Sequence, residues 1–217
     1  MSKIEIVYVD HMGDDLTVVN SARVSFNKKK DILDEKDVKL IKYLAKHQHM
    51  TPFEHCTLTV IIKCPLYIRS QIHRHRTFAY NEVSRRYTSE NLEFYQPDSF
   101  RIQHKTSKQC SAGDVSDETE KEAKLISKQI EDTCLKAYND LVNMGVAREL
   151  ARGLLPQSLM TEFYMTGNLR NWVHFLKLRM DSHAQKEVQD VAQPIADILF
   201  EKFPESTRAL MESKDEN

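Results

Sequence analysis

The densest group of chemically useful side chains lies in the segment RHRTFAYNEVSRRY, residues 74–87. It contains four arginines, one histidine, three aromatic residues and one acid. Four guanidinium groups cannot be buried together without anions, because an unpaired buried charge is very costly. The segment therefore predicts a site for a polyanionic ligand such as a nucleotide or a pyrophosphate. The alternative is a solvated basic face, although Glu82 and Ser84 are polar groups that such a face does not need.

Phosphate sites that depend on glycine-rich loops are excluded by the sequence. The chain has only five glycines, and neither GxGxxG nor GxxxxGK[ST] occurs in it. A phosphate would therefore have to be held by side chains, chiefly arginines. With 31 basic and 32 acidic residues, the formal net charge is −1. This balance argues against a surface built throughout for nucleic acid or an anionic membrane, so any basic site must be local.

Histidines at positions 47, 49, 55, 73 and 75 raise the alternative of a metal-dependent hydrolase. Arg74 and Arg76 flank His75 and would repel a divalent cation, and His73-Arg74-His75 lacks the carboxylate-rich surroundings of a hydrolytic centre. We therefore predict no metal site. The four cysteines form no CxxC pair, which favours reduced structural thiols over disulfides or zinc.

The sequence shows no targeting or membrane-spanning pattern. The first residues, MSKIEIVYVDHMGDD, become acidic before an apolar run of about seven residues develops. Nowhere do about 18 apolar residues follow one another. These observations predict a cytoplasmic protein without a membrane partner.

The elements that must position the chemical groups combine strand and helix patterns. Alternating apolar residues predict strands at 3–9 and 57–63. Helical spacing predicts helices at 36–46, after Pro65, and at 117–144, 147–155, 168–182 and 184–203, with Pro194 kinking or restarting the last. We expect one α+β domain over residues 1–217, with a mostly antiparallel or mixed sheet, several long helices and a polar tail from about residue 205.

Helical spacing also brings candidate ligand-binding residues together. Gln71, Arg74 and His75 share one face if the helix after Pro65 continues through them. Arg170 and His174 lie four residues apart on a later helix and can face one ligand. The same spacing relates Arg148 to Arg152.

Apolar stripes place the remaining helices against the core. Arg179 lies at the edge of the stripe of its helix, where partial desolvation strengthens a guanidinium. The stripe of the 117–144 helix, which includes Ile126, Ile130 and Cys134, is predicted to be buried. The segment 96–114 is expected to be the most mobile loop.

The segment RHRTFAYNEVSRRY resembles the RHRxxSxNExSxRY signature of the flavin-dependent thymidylate synthases. Ala79 stands where that family usually has serine, which affects only a contact that a small hydroxyl would make. Three further segments are similar to family segments and occur in family order: HQHMTPFEH at 47–55, ELARGLLP at 149–156 and NLRNWVHFLKLRMDSHAQKEVQ at 168–189. The resemblance spans nearly the whole chain.

The resemblance implies a homotetramer with active sites shared between subunits. It implies FAD as cofactor, and methylation of dUMP to dTMP with methylenetetrahydrofolate as carbon donor and NADPH as reductant. The positions that match the family's dUMP site are Gln71, Arg74, Glu82, Val83, Ser84, Arg85, Arg86, Arg152 and Arg179. The positions that match its FAD site are Thr51, Arg74, His75, Arg76, Glu82, Asn168, Leu169, Arg170 and His174, with His49 near the flavin or folate pocket. Arg179 is the implied catalytic residue.

A binding module for RNA is the alternative from another functional class. In that interpretation the cationic residues from Arg69 to Arg86 follow phosphates while Phe78, Tyr80 and Tyr87 stack on bases. It leaves Glu82 and the distant arginines Arg152 and Arg179 unexplained.

Overall fold

An antiparallel sheet and a layer of helices form the described part of the chain, residues 3–213 of the computed structural model. The strands are β1 (Glu5–Met12), β2 (Thr57–Pro65), β3 (Ala79–Glu82), β4 (Arg101–Gln103), β5 (Ser111–Asp114) and β6 (Met160–Asn168). The helices are α1 (Asp15–Arg23), α2 (Glu35–Lys46), α3 (Thr51–Glu54), α4 (Leu66–Ile72), α5 (Asp117–Asn143), α6 (Arg148–Ala151), α7 (Leu169–Arg179), α8 (Lys186–Lys202) and α9 (Pro204–Glu212). The α+β class and the antiparallel sheet are confirmed.

The main sheet has the strand order β1-β2-β6-β3, and every pairing in it is antiparallel. On β2 the side chains of Leu58, Val60 and Ile62 are fully buried, while the alternate residues are half-buried. This alternation is the period-2 signal that predicted the strand. One face of the sheet therefore packs on the core.

Helices α7 and α8 cover the buried face of the sheet. Trp172 on α7 is fully buried and donates its indole N–H to the carbonyl oxygen of Leu58 on β2, at 3.1 Å. This bond gives the indole nitrogen the partner that a buried Trp needs. Helix α8 runs without interruption past Pro194, so the proline does not start a new helix.

Strand β6 was missed by the sequence prediction, although it pairs with both β2 and β3 at the centre of the sheet. Phe163 and Met165 are buried, while the alternate residues Glu162 and Tyr164 are exposed. The segment MTEFYMTGN thus alternates, but it has no Val or Ile to mark it as a strand. The burial of β6 is decided by its two neighbouring strands.

The polar tail predicted from about residue 205 is wrong within the described residues, because Pro204–Glu212 forms helix α9. Ala209 and Leu210 are buried against the core. The buried carboxylate of Asp15 accepts hydrogen bonds from the main-chain N–H groups of Glu205 and Ser206, at 2.9 and 2.8 Å. Asp15 thereby caps helix α9. Because the two are far apart in sequence, the local pattern around residue 205 does not reveal this cap.

The buried stripe predicted on α5 is also wrong for the single chain. Ile126 and Ile130 are 53% and 54% exposed, and α5 contributes only Glu131 and Tyr138 to the buried residues. The apolar periodicity predicted helix α5 correctly, but it did not show that nothing within the described chain covers the apolar stripe. A stripe of this kind is typical of a surface that meets another protein.

Two further segments differ from expectation near the candidate site. Helix α4 ends at Ile72, so Arg74 and His75 follow it in a turn rather than sharing its face with Gln71. The segment 96–114, expected to be a mobile loop, contains the strand pair β4–β5. No helix in the described residues is long and apolar enough to cross a membrane.

Candidate functional site

The first cavity lies beside the end of β3 and has a volume of about 400 Å³. Its lining includes Arg69, Glu82, Val83, Ser84, Arg85 and Arg152. The Glu82 Oε1 atom accepts hydrogen bonds from Arg69 Nε at 3.0 Å and from Thr161 Oγ1 at 2.7 Å. Glu82 therefore neutralises Arg69 and fixes the end of β3.

The turn after β3 leaves main-chain donors available at this cavity. The N–H of Val83 donates to the carbonyl oxygen of Glu162 at 2.9 Å. In the described part of the chain, no atom accepts from the N–H groups of Ser84 or Arg85. Ser84 Oγ accepts from the N–H of Arg86 at 3.3 Å. Adjacent free N–H groups and a serine hydroxyl are suitable donors for an oxyanion.

The three arginines around this turn have different surroundings. The guanidinium of Arg85 donates to the carbonyl oxygens of Glu90 and Asn91, at 2.6 and 3.2 Å, and so braces the loop. Arg86 is half exposed and lies 3.6 Å from a carboxylate oxygen of Glu149. Arg152 is exposed, and within residues 3–213 its side chain donates only a long bond to the Glu149 carbonyl oxygen, at 3.4 Å. Arg86 and Arg152 are thus the cations that remain available to an anionic ligand.

The second cavity, of about 490 Å³, is lined by Gln71, Arg179, Gln185 and Gln109 among others. Arg179 donates from Nε to His75 Nε2 at 2.9 Å and from Nη2 to the carbonyl oxygen of Gln71 at 3.2 Å. Because Arg179 donates hydrogen bonds to two different groups, the plane of its guanidinium is fixed. Its other N–H groups remain available at the cavity.

His75 is buried and accepts the Arg179 hydrogen bond through a nitrogen that must therefore carry no proton. Burial, the adjacent charge of Arg179 and His174 lower the pKa of His75 to about 4. His75 is consequently neutral near pH 7 and acts as an acceptor that orients Arg179.

A chain of hydrogen bonds leads from the second cavity into the core. Gln71 Nε2 donates to Gln185 Oε1 at 2.5 Å, and Gln185 Nε2 donates to Glu187 Oε2 at 2.9 Å. The other carboxylate oxygen of Glu187, Oε1, accepts from Arg101 Nη2 of β4. Sequence reasoning missed this chain, although an acid beside the apolar face of the 184–203 helix was a usable signal.

The third cavity, of about 610 Å³, is lined by residues that include Met50, Thr77, Arg170, Asn171 and His174. The helical spacing of Arg170 and His174 therefore does bring both to one cavity. Arg170 Nη1 also donates to a carboxylate oxygen of Glu54 at 2.6 Å. Thr77, which lines this cavity, directly follows Arg74-His75-Arg76 in sequence, so the cavity lies next to the RHR segment.

Arg74 and Arg76 are exposed, and the side chain of neither forms an ion pair or hydrogen bond with any residue from 3 to 213. They are available for an anion such as a pyrophosphate. Thr51 and His49 are exposed next to Met50, which lines the third cavity. His49 also lies near Tyr43, with ring centroids 6.1 Å apart.

The start of α7 has a mainly structural role in the single chain. The side chain of Asn168 caps the helix by accepting from the N–H of Asn171 at 2.9 Å. Leu169 is fully buried, and its N–H donates to the carbonyl oxygen of Cys56 at 2.8 Å. The flavin contact that the resemblance implies for Leu169 is therefore not available to its side chain.

The first and second cavities lie on different sides of α4. Arg69 lines the first and Gln71 lines the second. Two residues on a helix are about 200° apart around its axis. The single chain therefore does not bring Arg86 and Arg152 together with Arg179 in one cavity.

The cysteines offer no activated nucleophile within the core. Cys56 and Cys64 are fully buried, and burial raises the pKa of each thiol to about 12. A buried thiol with a raised pKa is inert at neutral pH. Cys110 and Cys134 line none of the three cavities.

The two alternatives from other functional classes find no support in these contacts. No group of three or more His, Cys, Asp or Glu side chains in residues 3–213 is arranged to hold a metal ion. Phe78 is buried with its ring centroid 4.6 Å from that of Trp172, and the hydroxyl of Tyr80 donates to the His75 carbonyl oxygen at 2.7 Å. Two of the three aromatic residues expected to stack on RNA bases are thus part of the fold.

Comparison with known proteins identifies the group to which this arrangement belongs. Residues 8–205 match the family described as "Thymidylate synthase complementing protein". The curated relatives are named flavin-dependent thymidylate synthases. The chain belongs to the flavin-dependent thymidylate synthase family.

Individual relatives span most of the chain. The protein from Thermosipho africanus is 46% identical over 205 residues, which cover 94% of this chain and 89% of that protein. A protein from Thermus thermophilus is 43% identical over 196 residues, which cover 90% of this chain and 71% of that protein. Among solved structures, the UMP/dUMP methylase PolB from Streptomyces cacaoi bound with 5-Br dUMP has a TM-score of 0.89 and 30% identity, covering 98% of this chain and 96% of that one.

Proposed function

We propose that this chain catalyses the reductive methylation of dUMP to dTMP, with methylenetetrahydrofolate as carbon donor and FAD relaying hydride from NADPH. The observation that carries the proposal is the fixed guanidinium of Arg179 beside Gln71 at a cavity, in a chain of this family. The inert core cysteines agree with a reaction that uses no cysteine nucleophile.

Binding of the nucleotide phosphate is assigned to the first cavity. Arg152, which lines this cavity, and Arg86, which lies 3.6 Å from the lining residue Glu149, supply charge-assisted hydrogen bonds. Ser84 with the N–H of Arg85 supplies neutral donors. Glu149 is the only ion-pair partner of Arg86 in the described residues, and a bound phosphate would replace it.

Activation of the uracil ring is assigned to Arg179. Its N–H groups can donate to a uracil carbonyl oxygen, and they stabilise negative charge on the ring, which makes C5 nucleophilic enough to attack the folate methylene. Because Nε and Nη2 are already held by His75 and the Gln71 carbonyl oxygen, little reorganisation is needed at that step. Gln71 is the second group assigned to the uracil.

The flavin site is assigned to the RHR segment and the third cavity. The residues fit such a group, because Arg74 and Arg76 are exposed without ion-pair partners in residues 3–213, and Arg170 and His174 line a cavity of about 610 Å³. Thr51, His49 and Asn168 lie at the margin of this region. When bound, FAD would supply the hydride-transfer chemistry, while the protein supplies positive charge and orientation.

A homotetramer with shared sites is part of the proposal. It is supported by the separation of Arg86 and Arg152 from Arg179 by α4, since a second copy would be needed to complete the site. It is also supported by the exposed apolar stripe of α5, because homo-oligomer interfaces are apolar and self-complementary.

The proposal is tested with purified full-length protein supplied with FAD, NADPH, methylenetetrahydrofolate and dUMP. We expect NADPH oxidation that depends on dUMP, with dTMP and tetrahydrofolate formed in equal amounts by chromatography. A protein that accepts FAD and oxidises NADPH but forms no dTMP would contradict the assigned reaction. A protein that neither carries nor accepts FAD would contradict the cofactor.

A further inference from the structure

A buried carboxylate controls which atoms of the Gln71 amide face the second cavity. Glu187 is 2% exposed, and both of its carboxylate oxygens accept hydrogen bonds, one from Arg101 and one from Gln185. Gln185 in turn accepts from the NH₂ group of Gln71. The three side chains form one directed relay from the core to the cavity.

The direction of the relay follows from the charge of Glu187. An ionised carboxylate can only accept, so Gln185 must present its NH₂ group to Glu187 and its oxygen to Gln71. Gln71 must then present its NH₂ group to Gln185, which leaves its own oxygen for the cavity. Burial is the largest single effect and opposes ionisation of Glu187, but the hydrogen bonds from Arg101, from main chain and from Gln185, together with the charge of Arg101, outweigh it and hold the pKa of the carboxyl below its usual range.

The resulting pair of groups at the cavity has a definite hydrogen-bonding pattern. Gln71 Oε1 is an acceptor to which no described residue donates, and Arg179 can only donate. The edge of a uracil ring has an N3–H donor between two carbonyl acceptors, whereas cytosine has an acceptor at N3 and a donor amino group at C4. With N3 opposite Gln71 Oε1 and the C4 substituent opposite Arg179, the uracil edge matches this pair, and the cytosine edge places acceptor against acceptor and donor against donor.

We infer that Glu187, acting through Gln185, is a positioning residue that holds the Gln71 oxygen toward the cavity and so makes the site select uracil over cytosine nucleotides. The inference rests on the proposed function, because it takes the second cavity as the site of the base. It goes beyond that function by assigning base selection to a side chain that does not touch the ligand.

The test is calorimetric titration of the flavin-loaded full-length protein with dUMP and with dCMP. We expect the wild type to prefer dUMP. In Glu187→Gln the amide oxygen must face Arg101, which can only donate, so the NH₂ group faces Gln185; the relay then reverses and turns the NH₂ group of Gln71 toward the cavity. The ratio of the dCMP and dUMP dissociation constants should fall by about tenfold or more, because a site built on hydrogen bonds discriminates through them. Gln185→Met interrupts the relay without removing the Arg101–Glu187 pair and should lower the ratio similarly.

Two controls separate this effect from damage to the fold. Glu187→Asp retains the charge, so both affinities should fall together and the ratio should stay within about threefold of wild type. Asp37→Asn alters another fully buried carboxylate, paired with Arg23 and Lys30, that lines none of the three cavities, and should leave the ratio unchanged. If the wild type prefers dUMP and both Glu187→Gln and Gln185→Met keep its ratio, the relay does not determine selection. If the wild type binds no dUMP, the proposed function itself fails.

Discussion

Arg152 and Arg179 differ in what holds them before a ligand arrives. Arg179 is fixed by His75 and by the carbonyl oxygen of Gln71, whereas Arg152 is exposed with one long hydrogen bond to main chain. A residue held rigidly at a reacting group can stabilise charge that appears only in the transition state. Arg152 is assigned to the phosphate, which does not change in the reaction, so its contact stabilises the bound substrate and the transition state equally.

This difference predicts distinct kinetic defects. Arg152→Ala should weaken dUMP binding by about 1.5–3 kcal/mol, the contribution of a charge-assisted hydrogen bond, with a smaller effect at saturating dUMP. Arg179→Ala should lower the maximal rate by about 10²-fold or more beyond any loss of binding. Steady-state rates and dUMP titrations measure both, with Arg208→Ala on α9 as a control outside the three cavities. An Arg179→Ala enzyme with a normal maximal rate would remove Arg179 from the chemical step.

His75 makes stability depend on pH in a predictable direction. Its pKa is about 4 in the folded protein against 6.5 in a model peptide. The unfolded chain therefore binds a proton that the folded chain excludes. The free energy of unfolding is therefore unaffected by His75 above pH 6.5, and it decreases as the pH falls from 6.5 toward 4.

Between pH 7 and 4.5 the wild type should lose about 2–3 kcal/mol of unfolding free energy through this group alone. His75→Gln keeps a hydrogen-bond acceptor for Arg179 but cannot be protonated, so it should lack that part of the loss. Urea unfolding of both proteins across this range measures the difference. Parallel pH profiles would show that His75 is not the titrating group.

At the scale of elements, the capping of α9 by Asp15 is a contact that stabilises two distant segments together. Asp15→Asn replaces one acceptor with an NH₂ group and should cost about 1–2 kcal/mol of stability, the usual value of a helix cap. Hydrogen exchange should show the loss of protection first in Pro204–Glu212. Asp14→Asn alters the local cap of α1, where asparagine caps well, and should be nearly neutral. Unchanged exchange in α9 would contradict the capping role of Asp15.

The sequence predicted those elements whose signal is local and missed those that depend on partners. Strand β2 and helix α2 carry strong periodicity, and both were found within two residues of their observed ends. Strand β6 lacks β-branched aliphatic residues, and α9 is short and mostly polar, so each needs a tertiary contact to reveal it. Among site residues, the arginine motifs were readable, whereas the relay of Glu187 and Gln185 is visible only when α4 and α8 are placed side by side.

At the scale of the whole molecule, the division of the site by α4 allows a mixing experiment. If one site takes Arg152 from one copy and Arg179 from another, oligomers reassembled from equal amounts of Arg152→Ala and Arg179→Ala chains contain sites with both residues intact. Random pairing gives roughly one quarter of such sites. We expect dTMP formation to recover to about that fraction after mild dissociation and mixing.

The matched controls for this experiment are each variant dissociated and reassembled with itself. All samples are assayed at dUMP well below saturation, where the weak binding of Arg152→Ala keeps that control at low activity and Arg179→Ala remains slow. Failure of the mixture to exceed both controls, while chromatography shows that chains have exchanged, would place the whole site in one chain.

The link between Asp15 and α9 joins residues 190 positions apart. During synthesis on a ribosome the first strand and helix emerge long before the segment that packs against them, and Asp15 has no main-chain donor from α9 until Glu205 and Ser206 have been made. Shortened chains that end before Pro204 would thus resemble an unfinished product, open to proteases and chaperones. The contact between Asp15 and α9 is therefore a late step in the folding of a newly made chain.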